Sequence, residues 1–203
     1  MTDVTVQNVP YFAQNDSRWD GYRYCFSHAV AMLLGSISTL RYCDRALKNG
    51  YTQPENYYIS KLLSDGGETT HNADHLYCLK KHFAIDAYFT TTASPQDLRL
   101  SFKKGYPVPI GVAYKSDGHW MLAKGTKGSS WLINDPYGIR DGSASSYSVL
   151  ATDENRAGEN DTYSQSAMNQ IFWDDATDPS QDAGWAIFVT TVSGVATGIP
   201  EGL

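Results

Sequence analysis

The chain has 203 residues, 41% of them hydrophobic, and a formal net charge of −6. That is long enough to bury one sizeable core. It is also too acidic, with no cluster of Lys or Arg, for a surface that tracks nucleic acid or inserts among anionic lipids.

No segment approaches the roughly 20 apolar residues needed to span a bilayer. Residues 1–10 lack the basic start and apolar run of a secretory signal, so synthesis in the cytosol is expected. Cys25, Cys43 and Cys78 are the three cysteines; they have no paired spacing, and no disulfide framework is expected. No Pro/Gly/Ser-rich linker divides the chain. One domain is therefore expected over residues 1–192, with 193–203 as a tail and the protein a monomer.

In chain order, residues 4–14 read as an extended entry strand and 15–24 as a polar, aromatic-rich loop. From Cys25 to residue 37, Phe26, Ala29, Val30, Leu33, Leu34 and Ile37 recur at helical spacing, with Ala31 and Met32 filling most of the remaining surface. This predicts a largely buried helix with Cys25 in its first turn. Further helices are predicted over 54–64, closed by Gly66 and Gly67, and over 72–83, on the stripe Leu76, Leu79 and Phe83. Another starts with Ser94 as N-cap, Pro95 at the first position and Asp97 in the first turn, and Gly105 follows its end. After Tyr106 the character turns to strand, with apolar runs over 108–114, 119–124, 131–134 and 185–192. Helices first and an antiparallel sheet afterwards is an α+β order. Residues 138–182 hold few apolar anchors and read as a surface excursion across the sheet.

A thiol becomes a useful nucleophile where positive potential stabilises its thiolate, and a helix start beside an imidazolium supplies that potential. Cys25 has the helix start. His119 is delivered by Asp117-Gly118 onto the first residue of an apolar strand, and Asp135 closes the next strand. If the two strands form a hairpin, its open ends meet, and the carboxylate lies beside the imidazole it would orient. Taken singly, each residue has an ordinary explanation: a buried small hydrophobe, a strand-edge histidine, an Asp-Pro turn. Their common placement points to acyl transfer to a thiol. Gln14, upstream of the nucleophile, could donate to the oxyanion together with the Cys25 N–H.

Residues 9–14 (VPYFAQ) and 22–33 (YRYCFSHAVAML) resemble the start of C39-like papain-fold peptidases, above all the small forms encoded by bacteriophages and known as endolysins. Residues 67–70 (GETT), 105–109 (GYPVP), 118–120 (GHW), 134–138 (NDPYG), 163–164 (YS) and 184–186 (GWA) resemble later landmarks of that family in the same order. The resemblance implies a papain-like fold, with N-terminal helices, including the nucleophile helix, packed on a C-terminal antiparallel sheet. It implies Cys25 as nucleophile, His119 as base, Asp135 as orienter and Gln14 as oxyanion donor. It also implies hydrolysis of peptide bonds without a cofactor, with peptidoglycan as the wall substrate reached after release. His28 follows Cys25-Phe26-Ser27 where relatives carry other residues, and only Gly118 precedes His119 where several relatives have a run of glycines. Rival readings are an amidase or transpeptidase using the same triad, or a virion or host-interaction protein that uses the cleft for binding.

Two further features invite a sharp and a plain reading. His71, His75, Cys78 and His82 share one side of a predicted helix, where a His71/His75 pair could hold a divalent metal. The favoured reading has no metal, with Cys78 packed inward and the histidines at the helix margin. Among the 14 Tyr and 5 Trp, Trp19, Tyr22, Tyr24, Trp120 and Tyr137 flank the proposed catalytic residues and are the candidates for lining a substrate cleft.

Overall fold

The structure is a computed structural model that describes residues 3–16, 23–113, 118–141, 146–173 and 184–193. It begins with β1 (Val4–Thr5), α1 (Cys25–Ser36), a short 3-10 turn, α2 (Tyr42–Lys48), α3 (Pro54–Ser64), α4 (Asn72–Phe83), β2 (Ile85–Thr90) and α5 (Pro95–Lys103). It continues with β3 (Val108–Val112), β4 (His119–Lys127), β5 (Ser130–Asn134), β6 (Gly138–Arg140), β7 (Tyr147–Leu150), β8 (Asp161–Ser164), α6 (Gln165–Met168) and β9 (Trp185–Val192). Among the described residues, seven strands make one antiparallel sheet in the order β2-β9-β3-β4-β5-β8, with β1 also paired to β4. β6 and β7 form a separate two-stranded hairpin.

The mixed helix and antiparallel sheet expected from the sequence is observed, but the strict order of helices before strands is not. β2 lies between α4 and α5 and pairs with β9 from the far end of the chain, so the sheet draws on both halves. The entry strand expected over 4–14 shrinks to Val4–Thr5, because only this stretch reaches the Gly125–Thr126 edge of β4. The surface excursion expected over 138–182 is also corrected. It contains the β6–β7 hairpin and β8, which extends the main sheet beyond β5. These strands are three or four residues long, too short for an alternating pattern to stand out against a polar background. The expected tail lies outside the described residues apart from Ser193.

α1 explains the density of apolar residues in its sequence. Phe26 through Leu34 are all buried, since the helix packs on β3 and β4 and is covered by α2 and α3. A helix enclosed on all sides has no polar face to keep. α5 shows the opposite economy. Its start is fixed locally by a capping box, with the Asp97 N–H donating to Ser94 Oγ at 3.3 Å and the Ser94 N–H donating to Asp97 Oδ2 at 2.8 Å. Such a cap contributes about 1 kcal/mol.

The β4–β5 hairpin is closed by Gly128 and Ser129 and brings Asp135 round to β4. Asp135 is then held from behind: its N–H donates to the Gly158 carbonyl at 3.0 Å. Gly158 has φ +94°, and a Cβ there would stand 2.4 Å from the Asp135 oxygen and 2.7 Å from the Gly138 oxygen, both main chain. Gly158→Ala should therefore cost more than about 2 kcal/mol. Gly50→Ala, at φ +83° with open space around it, should cost about 1 kcal/mol. Urea midpoints of the two variants decide this; equal losses would show that the close approach behind Asp135 does not matter.

Candidate active site

Cys25 is the first residue of α1, and Tyr24 precedes it as N-cap without a side-chain cap hydrogen bond. The first N–H groups of the helix lack intrahelical acceptors. One of them, from Phe26, donates to the Cys25 sulfur, as does the Trp120 N–H from β4. Burial pushes the Cys25 thiol up, but hydrogen bonding to His119, the His119 charge and these two N–H groups outweigh it and bring the thiol below its ordinary value.

His119 opens β4 and is 4% exposed. Its Nε2 donates to Asp135 Oδ1 at 2.7 Å, which leaves Nδ1 as the ring nitrogen facing Cys25. Burial alone would favour neutral imidazole, yet the Asp135 charge and hydrogen bond, with the Cys25 thiol, raise His119 above its ordinary value. The directions of the two shifts agree. Both favour the charged pair of thiolate and imidazolium over the neutral one.

Asp135 is fully buried. Beyond His119, its Oδ1 accepts the Tyr137 N–H at 2.9 Å, and its Oδ2 accepts Tyr147 Oη at 2.9 Å and Tyr163 Oη at 3.2 Å. Its carbonyl accepts Tyr11 Oη at 2.7 Å. Both carboxylate oxygens thus have hydrogen-bond donors, as burial demands.

Gln14 is 1% exposed, and its N–H donates to the Pro136 carbonyl at 2.9 Å, so the segment that carries it runs beside the Asp135 turn. Tyr24 is half-buried, and its carbonyl accepts both the N–H and Nδ1 of His28. The His28 ring is buried, which lowers its pKa to about 4 and keeps it neutral. Trp120 lies flat on Phe26, with ring centroids 3.6 Å apart. Tyr137 meets the His119 ring edge-on at 6.2 Å. Trp19 and Tyr22 lie outside the described residues. Cys25, His119, Asp135, Trp120 and Tyr137 are thus brought together.

Sequence reasoning missed Tyr147 and Tyr163 as neighbours of Asp135. The only signals were a tyrosine in a polar stretch and the Tyr163-Ser164 landmark. It also placed His75 at the helix margin, whereas His75 is fully buried against the Phe26 ring at 3.8 Å. Its Nδ1 is 2.6 Å from Tyr58 Oη and its Nε2 is 3.1 Å from the Thr69 carbonyl, so neither nitrogen is open to a metal. His82 is taken by Asp65 at 2.7 Å. Among the described residues, no group of three or more His, Cys, Asp or Glu is placed to hold a metal ion, and no helix is long and apolar enough to cross a membrane.

A family model described as the Peptidase C39 like family matches residues 6–171. Among solved structures, the chain is similar to a protein from Bacillus anthracis described as a C39-like peptidase. That match has 18% identity and a TM-score of 0.55, covering 95% of this chain and 100% of the other. The chain is also similar to a double glycine motif protease from an AMS/PCAT transporter, solved in complex with the leader peptide. Here identity is 15% and the TM-score 0.50, with 93% and 98% of the two chains covered. At these identities the likeness is one of fold. No curated protein matches the chain.

Proposed function

The chain belongs to the Peptidase C39 like family, and from that premise we propose that it is a cysteine peptidase in which Cys25, His119 and Asp135 carry the reaction. One observation supports this above the others: a buried imidazole has one nitrogen 2.7 Å from a carboxylate oxygen and the other turned to a thiol at a helix start. In this reading the Cys25 thiolate attacks the carbonyl carbon of a peptide bond, and the developing oxyanion is met by the Cys25 N–H and the Gln14 side-chain amide. Imidazolium His119 gives its proton to the leaving amine, and a thioester remains on Cys25. His119, now neutral, takes a proton from water as the water attacks the thioester. The acid product leaves and the thiolate–imidazolium pair returns.

The finer reading is that the scissile bond lies in the stems or cross-links of peptidoglycan, with the protein acting on the wall after release. It rests on the sequence resemblance to phage-encoded relatives. Digestion of purified peptidoglycan, followed by mass spectrometry, should release peptide fragments with new amino termini and no new reducing sugar ends. Cleavage of casein with intact peptidoglycan would remove the wall substrate and keep the peptidase. Fragments carrying an added amine in place of water would show transfer rather than hydrolysis.

A further inference from the structure

Two hydrogen bonds at the Asp135 carboxylate fall on the oxygen that His119 does not use. Oδ1 serves His119 and the Tyr137 N–H; Oδ2 is served by two phenol hydroxyls and nothing else among the described residues. The phenols come from separate elements. Tyr163 stands on β8, the outer strand beyond β5, and is 4% exposed. Tyr147 opens the second strand of the β6–β7 hairpin, outside the main sheet, and its ring packs edge-on against His119 at 6.1 Å and Tyr137 at 4.7 Å. Phenylalanine would fill either ring position, so the apolar surroundings alone do not call for the hydroxyls. Burial, then the charges of Asp135 and Asp161, hold the Tyr163 hydroxyl protonated at any working pH, and it remains a donor.

We infer that Tyr147 and Tyr163 are positioning residues of the Cys25, His119 and Asp135 line, fixing the carboxylate so that Oδ1 faces His119 Nε2. This rests on the peptidase reading above. The physical reason is that a buried carboxylate has lost its hydration, and donors mounted on the surrounding strands replace it and set the direction in which each oxygen points. Should the carboxylate turn away from that position, His119 loses the partner that raises its pKa, and the Cys25 thiolate loses its counter-charge. The two hydroxyls therefore bear on reactivity at the sulfur without touching it.

The other titratable groups around this point are accounted for. Tyr11 donates to the Asp135 main-chain oxygen, not to the carboxylate. Asp161 on β8 adds negative potential, and burial followed by Asp135 raises its own pKa. The Arg140 guanidinium on β6 lies over the Tyr163 ring, 5.9 Å from its centroid. All three remain unchanged in the test.

The test is the rate at which iodoacetamide alkylates Cys25 across the acid and neutral range. It is followed on the Cys25 peptide by mass spectrometry in the intact chain, Tyr147→Phe, Tyr163→Phe and the double variant, each with its thermal midpoint. In the unchanged protein Cys25 should react faster than Cys43, whose thiol is raised by partial burial and then by Asp44 and Glu55. The acid limb of the Cys25 profile should move to higher pH by about one unit for each hydroxyl removed. A limb that stays in place in a folded Tyr147→Phe overturns the inference and leaves the peptidase reading standing, whatever happens to the midpoint. That variant keeps its ring at a half-buried position and serves alone if Tyr163→Phe fails to fold. A native Cys25 that reacts no faster than Cys43 overturns the peptidase reading and the inference with it.

Discussion

Replacing Cys25 with alanine should lower turnover at least about 10⁴-fold on any peptide that the unchanged protein cleaves, while the thermal midpoint stays nearly the same. The chemistry loses its nucleophile, and neither other cysteine can substitute: Cys43 is exposed with its thiol raised, and Cys78 is buried with its thiol pushed up to about 12 by burial first. The fold loses little. Alanine is the best helix former, Cys25 as a residue is half-buried, and His119 keeps its bond to Asp135. Turnover and thermal midpoint measured on the same preparation separate the two effects. Retained turnover would remove Cys25 from the mechanism, and a collapsed midpoint would mean that the thiol is a structural group.

The second large effect is expected at Asp135 and divides according to the replacement. Asp135→Asn keeps the shape and loses the charge. His119 then loses the main cause of its raised pKa, the neutral pair of thiol and imidazole is favoured, and turnover should fall about 10²- to 10⁴-fold. Asp135→Ala removes the acceptor altogether. The His119 ring N–H, the Tyr137 N–H and two tyrosine hydroxyls would be left facing a buried gap, at a cost of about 3–5 kcal/mol. Urea midpoints and kcat/KM together decide this: Asp135→Asn should be poor in rate and moderate in stability, Asp135→Ala poor in both. An alanine variant as stable as the native protein would mean that these donors find other acceptors.

The pH range of activity follows from the same two shifts. In the proposed mechanism the working pair needs Cys25 ionised and His119 protonated. Cys25 is lowered, so its ionised form persists further into acid than for a free thiol. His119 is raised, so its protonated form persists further into alkali than for a free imidazole. Both limbs are widened, the acid one by His119 with the Trp120 and Phe26 N–H groups, the alkaline one chiefly by Asp135.

Much of this arrangement was legible in the sequence, for identifiable reasons. The helices over 54–64 and 72–83 match the observed α3 and α4 to the residue, because each has apolar periodicity and its own start or stop signals. The helix over 25–37 is observed as Cys25–Ser36. The hairpin that joins His119 to Asp135 followed from two apolar runs around a glycine-containing turn. α2 was not foreseen: it has seven residues, and its N-cap Arg41 is left-handed, at φ 45°, and offers no capping side chain. β2 was missed because its partner β9 lies at the other end of the chain, and a local reading sees no reason for it to be extended. The tyrosines at Asp135 were illegible for a related reason. Nothing around Tyr147 or Tyr163 in the sequence says which carboxylate they will meet; only the closed sheet and the docked hairpin decide it.

The distribution of these contacts along the chain has a consequence for how the protein comes into being. Tyr11 and Asp135, which share a hydrogen bond, are 124 positions apart, and the sulfur, the imidazole, the carboxylate and its two phenol donors arrive on five different elements. Nascent segments of such a topology gain little until distant stretches have closed on one another, and closure of that kind is slow. A ribosome-bound or half-folded chain carries the thiol of Cys25 with the reactivity of any cysteine. In the proposed mechanism only the last long-range closure turns it into a nucleophile, so folding acts as the timer for the chemistry.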